Sequence, residues 1–133
     1  MDQAVILSTA RTPIGKAYRG TFNDTDAPTL ASYAINSSIA KAGIDPSEVE
    51  DVIMGAAVQQ GTQGYNIGRL SAAASGLPSH VPGMSVDRQC ASGLMAIAIG
   101  AKQIACKEMD IVIGGGVESV SYTHLTLPTI LLV

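Results

Sequence analysis

The sequence predicts an α/β fold with a mainly parallel sheet. Along the 133 residues, short apolar runs alternate with longer stretches of helical periodicity. Strands that are separated by helices need crossover connections, so this alternation favours parallel pairing. Apolar residues make up 47% of the chain and charged residues 14%, which predicts a globular unit with a real core and excludes a disordered chain.

The N-terminal third of the chain predicts one strand, a long loop and one helix. Residues 4–7 are uniformly apolar, as in a strand that is buried on both faces. A polar loop follows, and Asp26 is a suitable N-cap for a helix with Pro28 in its first turn. Gly43 ends the apolar periodicity and is expected to be the C-terminal cap of this helix.

The middle of the chain predicts a strand and a second helix. Asp45 and Glu48 have the spacing of a capping box, which predicts one helical turn there. Residues 51–58 are expected to form a strand, and residues 66–75 a helix that ends before Gly-Leu-Pro.

The last part of the unit predicts a strand at residues 83–87, a helix at 88–107 and a strand at 110–113. The helix is apolar over much of its circumference, so we expect it to be buried on most sides.

Cys90 lies where the third predicted strand turns into this helix. A thiol in the first turn of a helix faces unpaired N–H groups and the positive end of the peptide dipole, which favour the nucleophilic thiolate. Gly93 leaves the neighbouring backbone open to a substrate. The alternative is that Cys90 is a small buried hydrophobic residue.

Four segments resemble, in chain order, the thiolases, which are acyl-CoA C-acyltransferases. They are residues 10–15 (ARTPIG), 64–69 (GYNIGR), 87–94 (DRQCASGL) and 114–119 (GGGVES). The resemblance implies a thiolase-like βαβ half with a buried nucleophile helix, forming an incomplete N-terminal domain over residues 1–121. It also implies that Cys90 is the catalytic nucleophile that accepts the acyl group.

The resemblance implies thiolytic Claisen cleavage of a 3-oxoacyl-CoA, with coenzyme A as co-substrate and no other cofactor or metal. In thiolases, histidines and a second cysteine of the C-terminal half complete the acid–base chemistry. We therefore expect this chain to be truncated and inactive as written. Three alternatives remain: a short-chain acetyl-CoA acetyltransferase that runs the condensation, a ketoacyl synthase, which residues 11–13 argue against, and a non-catalytic fragment.

The remaining histidines and cysteine are expected to be structural. His80 lies in a Pro-bounded loop, and His124 lies in the C-terminal tail. Cys106 is sixteen residues from Cys90 on the same predicted helix, which at about 1.5 Å per residue is too far for one site.

Several other residues near the motifs have two interpretations each. Glu118 either supports the site through a hydrogen bond or braces a loop, and Arg88 either favours the Cys90 thiolate or points to solvent. Arg69 is expected to be structural, at the core edge or a subunit interface. Residues 114–116 lack the spacing of a dinucleotide loop and predict close backbone packing or a tight turn.

Charge and cysteine usage limit the partners. The net charge is −3 with eight scattered Lys and Arg, which argues against nucleic acid. Two cysteines form no disulfide framework, and neither a signal peptide nor a membrane span is evident, so the chain is expected to be soluble and cytoplasmic. The resemblance implies a homo-oligomer for a full-length protein, with acyl-CoA and CoA as ligands.

The last twelve residues, 122–133, contain no charged side chain and have neither helical periodicity nor clean alternation. They are expected to be a tail that does not resemble the family, produced by a lost reading frame or a cut gene near Ser121.

Overall fold

The computed structural model describes residues 3–121. In chain order its elements are α1 (Ala27–Ala42), β1 (Asp51–Gly55), α2 (Ile67–Ala74), β2 (Gly83–Val86), α3 (Ser92–Ala105) and β3 (Val112–Gly116). Short 3₁₀ turns precede β1 (Pro46–Glu48) and α2 (Gly61–Gln63). The predicted tail at residues 122–133, with His124, lies outside the described residues.

The three strands form one parallel sheet in the order β2-β1-β3, which confirms the predicted α/β class. Ile53 of β1 is opposite Met84 of β2 and Gly114 of β3. β1 is central and every one of its residues is buried, because strands flank both edges and helices cover the faces. The carboxyl ends of all three strands therefore meet at one edge of the sheet.

α1 begins and ends where its local signals predict. The Thr29 N–H donates to the Asp26 carboxylate at 2.7 Å, and Gly43 takes the left-handed conformation (φ 69°) that closes the helix. Asp45 and Glu48 form the predicted capping box. α1 buries Ile35 and Ile39 in a core that it shares with β1 and α2.

α2 packs on β2 by backbone contact. Its N-cap is Asn66, whose side chain accepts from the Arg69 N–H. A Cβ on Gly68 would collide with the Met84 backbone, and one on Gly83 would collide with Arg69. Glycine at both positions lets helix and strand approach this closely.

The predicted strand at residues 4–7 is absent from the described structure, and this expectation is wrong. The segment pairs with no strand, and Val5, Ile6 and Leu7 are 61–75% exposed. An apolar run becomes a buried strand only where it pairs with a sheet edge, and this run pairs with neither the outer edge of β2 nor that of β3. The following residues instead attach to α1, through a 2.7 Å hydrogen bond from the Ser8 hydroxyl to the Ser38 carbonyl.

Strand and helix boundaries also differ from expectation at the carboxyl edge. β1 ends at Gly55 rather than at residue 58, and β3 runs from Val112 to Gly116, so the glycines expected to follow that strand form most of it. α3 begins at Ser92 instead of residue 88.

α3 is covered on one side only, whereas its composition predicted burial on most sides. The buried stripe is Ser92, Ala96 and Gly100, which faces the sheet. Leu94 is 72% exposed and Ile97 is 47% exposed. Within residues 3–121 the sheet supplies the only layer packed against this helix.

No helix in the described part of the chain is long and apolar enough to cross a membrane.

Candidate active site

Cys90 lies in a tight turn at the carboxyl edge of the sheet, between β2 and α3, and its side chain is exposed. The sequence placed it inside the first turn of the helix. It instead precedes the N-cap, Ala91, by one residue. This exposure excludes the alternative of a small buried hydrophobic residue.

The turn that carries Cys90 is held by side chains on both sides of it. Gln89 has a left-handed backbone (φ 52°), an unusual conformation for a residue other than glycine. Its N–H donates to the Asp87 carboxylate at 2.9 Å. The Ser92 hydroxyl, which is buried, accepts from the Arg88 N–H and donates to the Gln89 carbonyl at 2.6 Å. These bonds fix the backbone before and after the thiol.

The N-terminus of α3 is open. Its N-cap is Ala91, which has no side-chain acceptor, so the first-turn N–H groups lack the usual side-chain cap. Gly93, in that first turn, lines the same cleft as Cys90. The Ser92 N–H donates to the Gln89 carbonyl at 3.0 Å, while the remaining first-turn N–H groups and the helix dipole favour negative charge at this position.

Glycines of β1 and β3 form the seat of this helix end. A Cβ on Gly55 would overlap the backbone of Ser92 and Gly93, and one on Gly116 would come 3.1 Å from the Gly93 Cα. A Cβ on Gly114 would come 2.9 Å from the Ile97 Cα, which confirms the close backbone packing expected for residues 114–116. The strand ends therefore touch the helix backbone directly.

Cys90 opens into a cleft of about 470 Å³. The lining comprises residues 55–58, 89–90, 92–93, 116–118 and Val120. These residues line the cleft mainly with apolar side chains and backbone atoms. Of the side chains that line it within residues 3–121, only those of Cys90 and Glu118 are ionisable. The cleft is thus an apolar pocket with a thiol and a helix N-terminus at one wall.

Glu118 braces a loop and also lines the cleft. Its carboxylate accepts from the N–H groups of Ala57 (2.9 Å) and Val58 (3.3 Å) and from the Gln63 amide (2.7 Å). Glu118 therefore braces the loop after β1, as one interpretation predicted. It also lines the cleft, and its support of the site stays a prediction. Gln63, which sequence reasoning missed, is fully buried at the centre of this network. A glutamine in a polar loop gives no signal of such a role.

The other predicted residues lie away from Cys90 or outside its cleft. His80 is exposed and contacts the Ser47 carbonyl at 3.4 Å. Cys106 is the C-cap of α3, at the opposite end of the helix. Arg88 is exposed and does not line the cleft. Arg69 donates to the carbonyls of Val81 (2.6 Å) and Ser79 (3.4 Å), a structural role as expected.

Comparison with known proteins gives a consistent picture. The profile of the family described as "Thiolase, N-terminal domain" matches residues 4–131. This match runs ten residues past the predicted boundary at 121, and the domain boundary stays a prediction. The chain is 38% identical to a 3-ketoacyl-CoA thiolase of Bacillus subtilis, over 99% of this chain and 35% of that protein.

Two further relatives have a similar sequence identity to this chain. An acetyl-CoA acetyltransferase of Cupriavidus necator is 38% identical over 96% of this chain and 32% of its own length. A peroxisomal 3-ketoacyl-CoA thiolase of Arabidopsis thaliana is 40% identical over 93% of this chain and 27% of its own length. The chain thus spans about a third of the length of the curated relatives it matches.

Proposed function

The chain belongs to the thiolase family, through the N-terminal domain of that family, and on this premise we propose that it carries the nucleophile of an acyl-CoA C-acyltransferase. The observation that supports this most is the position of Cys90. An exposed thiol lies in an open apolar cleft beside the uncapped N-terminus of α3.

The proposed reaction is thiolytic cleavage of a 3-oxoacyl-CoA. The Cys90 thiolate attacks the keto carbonyl, and the bond between the α and β carbons breaks. The acyl group stays on the sulfur as a thioester, and acetyl-CoA leaves after its α-carbon takes a proton. The thiol of a second coenzyme A then takes the acyl group and restores Cys90.

The cleft has the groups that the first step needs. A tetrahedral oxyanion forms at the attacked carbonyl, and N–H groups at a helix N-terminus are suitable donors for it. The side chains of Val58 and Val120, which line the cleft, offer apolar surface to an acyl chain. Gly93 leaves the approach to the sulfur open.

The described residues do not supply the proton transfers. Within residues 3–121 neither a histidine nor a second cysteine lines the cleft. We propose that these groups come from residues beyond the described ones. Without them water protonates the leaving α-carbon only slowly, so that residues 3–121 support a single acylation of Cys90 but no turnover. Coenzyme A acts as co-substrate and no bound cofactor takes part. A homo-oligomer and a cytoplasmic location, suited to two exposed free thiols, belong to the same proposal.

The test is acyl transfer to Cys90, read by intact-protein mass after incubation with acetoacetyl-CoA. We expect one added acyl group, lost in Cys90→Ala and kept in Cys106→Ala. The second variant is a matched control, because both cysteines are exposed and lie at opposite ends of α3. Labelling of Cys106 instead, or no labelling of either, would contradict the proposal.

A second experiment tests the length of the acyl group in the substrate. The equal identity to a 3-ketoacyl-CoA thiolase and to an acetyl-CoA acetyltransferase does not separate the two activities. We propose the former, and a longer 3-oxoacyl-CoA should acylate Cys90 faster than acetoacetyl-CoA. A preference for acetoacetyl-CoA would favour the short-chain class, and no acylation by either would favour a non-catalytic fragment.

A further inference from the structure

We propose that Glu118 and Gln63 form a clamp that positions the wall of the Cys90 cleft, so that Glu118 is a positioning residue and not the acid or base of the reaction. The inference rests on the proposed function in one respect only, which is that Cys90 is the reacting thiol.

The Glu118 carboxylate is occupied by donors. One oxygen accepts from the Ala57 N–H at 2.9 Å, and the other accepts from the Val58 N–H at 3.3 Å and the Gln63 amide at 2.7 Å. Three N–H donors fix its orientation toward the loop after β1. A carboxylate held in this way is suited to holding a backbone, because three of its roughly four lone-pair positions are already engaged.

Gln63 ties two segments of the cleft wall together. It has no exposed surface, its amide also donates to the Val58 carbonyl at 2.7 Å, and its side-chain oxygen accepts from the Ser119 N–H. One buried side chain therefore bonds both the segment after β1 and the segment after β3. These two segments are distant in sequence, and Gln63 joins them in addition to the direct bonds from the Ala57 and Val58 N–H groups to Glu118.

Both clamped segments line the cleft. Ala57, Val58, Glu118 and Val120 all line it, and the hydrogen bonds of Glu118 to Ala57 and Val58 join the two segments into one wall. The backbone adds one further bond between the segments, from the Val117 N–H to the Gly55 carbonyl at 3.0 Å. Beyond that bond the position of this wall depends on the clamp, and the position of the wall sets the path of a chain toward the sulfur.

The molecule contains a matched control at the other end of the sheet. Glu50 is also an exposed carboxylate that accepts from two consecutive N–H groups, those of Asp110 and Ile111. Its bonds join the starts of β1 and β3, far from Cys90 along both strands. Glu50→Ala and Glu118→Ala thus remove similar hydrogen bonds, but only the second reaches the cleft.

Two measurements on the full chain test the clamp. Amide hydrogen exchange should speed up about tenfold or more at residues 57 and 58 in Glu118→Ala, and at 110 and 111 in Glu50→Ala. Alkylation of Cys90 is then compared between iodoacetamide and N-octylmaleimide, in the Cys106→Ala background. In Glu118→Ala the alkylation rate with N-octylmaleimide should fall about tenfold relative to the rate with iodoacetamide. The reason is that the displaced wall no longer aligns the octyl chain with the sulfur.

In Glu50→Ala the ratio of the two alkylation rates should stay unchanged. Equal changes in both variants, or no change in either, would overturn the proposal. Glu118→Gln keeps one acceptor oxygen, so its ratio of alkylation rates should lie between those of the wild type and Glu118→Ala. If Glu118→Ala does not fold, the ratio measured for Glu118→Gln tests the proposal. Since neither reagent is an acyl donor, a chain that fails to accept an acyl group from acetoacetyl-CoA would contradict the proposed function and leave this comparison readable.

Discussion

Gly116 and Gly93 lie in direct backbone contact: a Cβ on Gly116 would come 3.1 Å from the Gly93 Cα. Gly55 approaches the same helix end even more closely. The N-terminus of α3, and with it the turn that carries Cys90, therefore rests on two glycines without any side chain between helix and sheet.

We expect Gly55→Ala to destabilise the fold by about 2 kcal/mol or more, since the added methyl overlaps the Ser92 and Gly93 backbone and cannot be relieved by a side-chain rotation. Urea denaturation measures the loss. Gly93→Ala is the control, because its Cβ would meet its nearest neighbour at 3.6 Å, an ordinary contact, and should cost less than about 0.5 kcal/mol. Similar losses of stability in both variants would contradict the close contact between Gly55 and the N-terminus of α3.

Glu50 should make stability depend on acid pH. The N–H groups of Asp110 and Ile111 hold the pKa of its carboxyl below the ordinary value of 4.5. Below that value the unfolded chain binds more protons than the folded one, so stability falls as pH drops through this range. Urea midpoints of the wild type should fall more steeply between about pH 6 and pH 3 than those of Glu50→Gln. Equal slopes in the wild type and in Glu50→Gln would contradict this assignment.

Asp51 should make stability depend on pH in the opposite direction. Burial raises the pKa of its carboxyl above 3.8, although the Val52 N–H donates to it and opposes the shift. The folded chain then binds more protons just above the ordinary value, and the contribution of this group to stability falls as pH rises through that range. Asp51→Asn should be more stable than the wild type by about 1 kcal/mol at neutral pH, with the gain vanishing in acid. An equal gain at all pH values would refute the titration argument.

Ser71→Ala should stabilise the chain. The Ser71 hydroxyl is fully buried in α2 and makes no hydrogen bond with the described residues. Removing such a group recovers its desolvation cost, so we expect a gain of about 1 kcal/mol in the free energy of unfolding. Ser32→Ala is the matched control, since the Ser32 hydroxyl donates to the Thr29 carbonyl at 2.7 Å. That variant should gain clearly less, and a larger gain there would contradict the account.

Local signals predicted the helices well. Asp26 and Gly43 cap α1 as expected because capping depends only on neighbours along the chain. The strand at residues 4–7 failed because a strand depends on a partner edge, which hydropathy does not reveal. The position of Cys90 was predicted to within one helical turn; the difference arises from the left-handed backbone at Gln89, which delays the helix.

The place of Cys90 at the junction of β2 and α3 was thus predictable from sequence, but its surroundings were only partly so. Glu118, which belongs to the motif at residues 114–119, was identified as either a support of the site or a loop brace. Gln63 was not, since its partner Ser119 lies 56 positions away and only the fold brings them together.

The glycine contacts of α3 have a consequence for how such a protein diversifies. Gly55 and Gly116 leave no room for a side chain between the strand ends and the helix, so substitutions there are restricted and the helix end next to Cys90 keeps its place. Under the proposed function, selectivity among acyl groups would change at the rim of the cleft, where side chains such as Val58 and Val120 lie.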